Sequence, residues 1–127
     1  MISIFASFAA RSLTAADCNF SVGPCTKTSA GRTVTFDIAP KPPKSMEELT
    51  FILTVTPCGS LPDTIVLDLG MPGMMMGRNR VVMKKTDRST WKGTGIIVRC
   101  MSGRSLWQAT ILSEALNNTA FTFDVKD

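Results

Sequence analysis

From residue 32 onwards the chain returns again and again to a period of two, and no other pattern in it constrains the fold as tightly. RTVTFDI (32–38) puts Val34, Phe36 and Ile38 on one side, and LTFILTVT (49–56) does the same with Leu49, Phe51, Leu53 and Val55. TIVLDL (64–69) aligns Ile65, Leu67 and Leu69, and FTFDV (121–125) aligns Phe121, Phe123 and Val125. Successive side chains of an extended chain point to opposite faces, so each run reads as a strand with one buried face. Less regular β-branched and aromatic runs lie at 81–85, 91–99 and 106–112, and a short one, CNFSV, aligns Cys18, Phe20 and Val22. Gly, Pro, Asn and Asp clusters separate them (SAG, APKPPK, CGSLPD, TDRS, MSGRS, NN), and only SMEEL and SEALNN can hold a helical turn. Seven or eight short strands at this spacing predict an all-β fold, an antiparallel β-sandwich.

A chain of 127 residues is the size of one domain and can bury its own core. Apolar residues make up 44% and charged residues 19%, a globular balance. The net charge of +4 is spread thinly, and aromatics are not interleaved with basic residues as in a single-strand nucleic-acid groove, so no nucleic-acid partner is expected. There is no histidine, which removes most hydrolytic triads, most zinc sites and the usual proton shuttle. The carboxylates Glu47, Glu48, Asp63, Asp68, Asp87 and Glu114 show no paired spacing. Neither an enzyme nor a small-molecule substrate is expected.

The N-terminal segment 1–16 carries the apolar run ISIFASFAA and small residues before Asp17, as a signal peptide cut after Ala16 would. It lacks a basic start, so the expectation is a truncated signal peptide or a disordered leader, with the β-sandwich domain over 17–127. Cys18, Cys25, Cys58 and Cys100 form no CxxC pair, and a scattered even number suits disulfides in an exported protein.

Strands joined by short turns alternate in direction. If 32–38 runs up, then 49–56 runs down, 64–69 up, 81–85 down, 91–99 up and 106–112 down. The stretch MPGMMMGRNR (71–80), the turn MSGRS with Met101, and Met46 then meet at the upper end, with Met83 just below the rim. Cys100 falls at the top and Cys58 at the bottom, too far apart for the roughly 7 Å limit between bridged Cα atoms. With CNFSV running down, the pairings favoured are Cys18–Cys100 and Cys25–Cys58.

Residues 65–111 carry, in order, a strand, the loop MPGMMMG (71–77), a hairpin with Trp91, and MSGRSLW (101–107). This order resembles the FixH/YtkA-like family of bacterial periplasmic, immunoglobulin-like β-sandwich domains. The last motif has one more residue between Gly103 and Trp107 than the family pattern. The resemblance implies an immunoglobulin-like sandwich, a periplasmic or otherwise exported location, and a partner among copper-trafficking or respiratory-oxidase assembly proteins. Many members of that family carry histidine near the loop; the absence of histidine here points away from Cu(II).

Thioether sulfur is a soft ligand suited to Cu(I), and it needs no deprotonation. Met71, Met74, Met76 and Met101 are the candidate ligands, with Met75 and Met46 in reserve. Met75, Arg78 and Arg80 are the candidate partner-binding residues. The competing reading is metal-free: Met71 and Met101 plug the end of the sandwich and the other methionines form a soft docking surface, since methionine fills irregular gaps. Trp91 and Trp107 are expected in the core.

Overall fold

The computed structural model describes residues 16–59, 61–72, 79–98 and 105–125. Its elements are β1 (Cys25–Ser29), β2 (Arg32–Ala39), β3 (Glu48–Thr56), β4 (Thr64–Gly70), β5 (Arg80–Asp87), β6 (Thr90–Ile96), β7 (Leu106–Leu112), a 3-10 turn (Glu114–Leu116) and β8 (Ala120–Asp124). The fold is all-β, as the alternation requires. The eight strands are hydrogen-bonded into one antiparallel sheet in the order β1-β2-β3-β6-β5-β4-β7-β8, curled until it is nearly a barrel. They are not divided into two separate sheets.

The order follows from two crossings, β3 to β4 past β6 and β5, and β6 to β7 past β5 and β4. β4, β5 and β6 are joined in sequence by adjacent pairings, and β6 returns to lie beside β3, a Greek-key arrangement. The 57–63 connection must therefore pass beneath β6 and β5. It is held there by Trp91 Nε1, which donates to Pro62 O at 3.0 Å, and by Lys85 N, which donates to Asp63 O at 2.8 Å. Leu61, buried in the same connection, closes the lower end.

Apart from CNFSV, every apolar set read from the alternation faces inward. Val34, Phe36 and Ile38 of β2, Leu49, Phe51, Leu53 and Val55 of β3, and Ile65, Leu67 and Leu69 of β4 are all buried. Trp91 and Trp107 are core residues as expected. Met83 lies deeper than the rim: it is opposite Ile65 in the β4–β5 pair and has no exposure. Each large side chain buried this way contributes about 1.5–3 kcal/mol of transfer free energy.

Two readings of the N-terminal part are corrected. CNFSV is a turn and not a strand: Val22 N and Gly23 N both donate to Asn19 O, and Val22 is 80% exposed. The first strand is CTKTS, whose residues are alternately half-buried and exposed. It pairs on one side only, so it never needed the apolar alternation that marks the others. The turn also changes the disulfide. It brings Cys18 and Cys25 to a Cα separation of 5.6 Å, where they are bonded to each other. This replaces both the Cys18–Cys100 and the Cys25–Cys58 pairings. Cys58 has no disulfide partner among the described residues, and Cys100 lies outside them.

Candidate functional site

The registers fix which strand ends meet. Ala39 is opposite Thr50, Glu48 is opposite Ile96, Asp68 is opposite Arg80, and Gly70 is opposite Gln108. The end of β2, the start of β3, the end of β4, the start of β5, the end of β6 and the start of β7 therefore share one end of the molecule. That is the end at which strand alternation placed the methionines. The flanks of the 73–78 stretch, Pro72 and Asn79, and the flank of the 99–104 stretch, Val98, all lie there.

Among the candidate ligands, the structure describes Met71 and Met46. Met71 follows β4 directly and is 4% exposed, packed with the core beneath. Met46 is its opposite, 57% exposed, in a left-handed conformation with φ +66°. Its backbone N donates to Ile97 O at 2.7 Å, which ties the turn before β3 to the end of β6. Met74, Met75, Met76, Met101 and Arg78 lie outside the described residues. Arg80 is exposed at the start of β5, its Nε 3.8 Å from Asp68 Oδ1 across the strand pair. Asn79 Nδ2 donates to Ile96 O at 3.3 Å, a second tie between the base of the methionine loop and β6.

Around Met46, the outward-facing Ile96 and Val98 are 48% and 45% exposed. These apolar side chains form part of the rim, a feature the sequence reading missed. Their alternation signal was masked because the inward positions of the same strand hold Gly93 and Gly95. Among the described residues, no three His, Cys, Asp or Glu side chains gather as a metal-binding group.

Away from that end, the strand edges β1 and β8 face each other with no ladder between them among the described residues. Lys27 of β1 spans the gap, donating from Nζ to Ala120 O at 2.6 Å and to Asp17 Oδ2 at 2.7 Å. The hydrogen bond from Lys27, helped by its charge and by bonds to Thr122, outweighs the opposing desolvation and holds the Asp17 carboxyl below its ordinary range. A carboxyl lowered by folding stabilises the fold above its unfolded value, about pH 4, and that contribution is lost as pH falls through the folded value. Both side chains are partly exposed, so the pair is worth no more than about 1 kcal/mol. Wild type is expected to exceed Asp17→Asn in unfolding free energy at pH 6, with the gap closing on acidification towards pH 2. A gap that stays constant over this range would show that the pair adds no proton-linked stability.

Compared with family models, curated proteins and solved structures, the chain finds no match in any of the three.

Proposed function

We propose that the chain is an exported, non-catalytic domain whose methionine-rich end takes up Cu(I) through thioether ligands and passes it to a copper-trafficking or respiratory-oxidase assembly partner. On this reading the curled sheet is a variant of the immunoglobulin-like sandwich of FixH/YtkA-like periplasmic domains. The observation that carries the proposal is the convergence at one end. Met46, Met71 and the strand ends flanking 73–78 and 99–104 come together there by the register of six strands. Soft thioethers select Cu(I) over Zn(II), and they remain available where thiols are consumed by disulfides. The Cys18–Cys25 bridge supports such a compartment.

The test is anaerobic Cu(I) competition against a chromogenic chelator, with X-ray absorption to identify the sulfur shell. Wild type is expected to bind Cu(I) and to leave Zn(II) in solution. Met71→Leu, Met74→Leu, Met76→Leu and Met101→Leu combined should abolish uptake while the fold persists, because leucine keeps the volume and removes the sulfur. Equal uptake by wild type and the quadruple variant would sink the copper reading.

A metal-free docking end is the second reading, and the exposed Met46, Ile96 and Val98 favour it. It predicts that the quadruple variant keeps partner binding and that wild type takes up no Cu(I).

A further inference from the structure

We infer that the Cys18–Cys25 disulfide is a site of thiol–disulfide exchange, and that a dithiol reductant acting on it unlatches the seam between β1 and β8. The seam is where the barrel fails to close by backbone pairing. Among the described residues, β1 forms a strand ladder only with β2, and β8 only with β7. The upper half of the gap is filled by a short stretch of chain. Cys18 forms an isolated parallel bridge with Phe123, Cys18 N donates to Thr122 O at 2.9 Å, and Asp17 N donates to Thr122 Oγ1 at 2.8 Å. The lower half is laced by side chains: Lys27 Nζ to Ala120 O, and Ser29 Oγ to Leu116 O at 2.7 Å.

The disulfide cross-links the upper filler to the head of β1, closing the short turn that joins them in sequence. Without it, residues 16–18 rest on β8 through the backbone and hydroxyl bonds just described and the Asp17–Lys27 ion pair. Cys18 itself is buried, and Phe20 in the same turn packs edge-on against Phe36 and Phe123. Cys25 is the more open partner, half-buried at the start of an edge strand. A crevice bounded by Ala16, Asp17, Cys18, Asn19, Phe20, Ser21 and Asp124 runs beside the turn.

One thiolate of the reductant attacks the Cys25 sulfur, the Cys18–Cys25 bond breaks, and Cys18 leaves as a thiolate that takes up a proton. The second thiolate of the reductant then attacks its own sulfur in the mixed disulfide. Cys25 is released as a thiol, and the reductant departs as a cyclic or intramolecular disulfide. Two electrons pass from reductant to protein. Once the Cys18–Cys25 bond is open, residues 16–18 can lift from the seam, and Thr122 of β8 loses the partners of its carbonyl and hydroxyl and becomes an open stretch of strand edge.

The experiment uses the full chain and dithiothreitol as the probe. Alkylation followed by tryptic mapping reads the disulfide on the 12–27 peptide, which contains both cysteines. Hydrogen exchange reads the seam. Dithiothreitol under native conditions is expected to open the disulfide and to speed exchange in 16–18 and 120–124 at least about tenfold, with the β3–β6 ladder unchanged. Cys18→Ser/Cys25→Ser in non-reducing buffer should show the same local acceleration while leaving Cys58 and Cys100 as they are. If that variant does not fold, the dithiothreitol series on wild type decides alone. An intact 12–27 disulfide after native reduction, unchanged exchange at 120–124, or acceleration spread evenly over all strands would each overturn the inference.

Discussion

Trp91→Ala is expected to lower the unfolding free energy by about 3–5 kcal/mol, the cost of emptying a fully buried aromatic site. Trp91 has no exposure and stands between Leu53 of β3 and Lys85 of β5. Lys85 Nζ lies 5.4 Å from the centre of its ring, and Trp91 Nε1 holds Pro62 O. The alanine variant would therefore lose three things together: the core volume, the cation–π contact, and the tether on the connection that makes the Greek-key crossing. With total stabilities of about 5–15 kcal/mol for ordinary domains, a loss of that size brings the variant near the threshold of folding. Trp91→Phe separates the contributions. It keeps most of the apolar contact and removes the donor, so about 1 kcal/mol should go with the hydrogen bond and the rest with the smaller ring. The measurement is the denaturant midpoint at unchanged m-value, followed through the remaining tryptophan, Trp107. An alanine variant within about 1 kcal/mol of wild type would contradict the buried, tethering position of Trp91.

The parts of this fold legible in the sequence are the parts where one face of a strand is buried and the other is not. Val34, Phe36 and Ile38, or Leu49, Phe51, Leu53 and Val55, announce their strands because each second position enters the same core. The directions of β2 to β7 were legible too, because each connection turns the chain back at one end of the sheet and successive strands alternate. The convergence of Met46 and Met71 at one end follows from it. The sheet arrangement was not legible. A period of two does not say whether an inward face meets a second sheet or the far side of the same sheet, and here one continuous sheet curls on itself. CTKTS escaped because an edge strand with half-buried residues carries no apolar alternation, while CNFSV imitated a strand over the length of a turn. That single exchange displaced Cys25 from the foot of a strand to the head of one, and both disulfide pairings went with it. For the candidate site, residue chemistry suggested the methionines, but the contrast between buried Met71 and exposed Met46 depends on backbone details that spacing does not encode. The rim formed by Ile96 and Val98 was hidden for the same kind of reason, since glycines occupy the inward positions that would have completed the alternation.

At those glycines β5 lies too close for a Cβ, and Gly93→Ala is expected to destabilise the protein by about 1–3 kcal/mol. The β5–β6 ladder pairs Lys84 with Lys92 and Lys85 with Trp91, and its register shifts between Lys85 and Asp87. Beyond Lys92, β5 crosses close over β6. A Cβ on Gly93 would lie 2.7 Å from Val82 O, 2.9 Å from Val81 Cγ1 and 3.0 Å from Met83 Cγ. The first of these is backbone, so no side-chain rotation relieves it, and the strands themselves must part. The benefit of restricting the unfolded chain, about 0.4–1 kcal/mol for Gly→Ala, is too small to offset that. Gly95 poses a different obstacle. Its Cβ would meet Val81 Cγ2 at 2.7 Å and Phe51 Cε2 at 3.4 Å, both side-chain atoms. Val81→Ala should therefore make Gly95→Ala tolerable and give the pair a measurable coupling energy, while Gly93→Ala remains costly in the same background because the Val82 carbonyl has not moved. Equilibrium unfolding of the three single and two double variants separates the two cases. Gly93→Ala as stable as wild type would mean that β5 and β6 do not approach this closely. A Gly95→Ala cost indifferent to Val81 would mean that the contact limiting it is some other one.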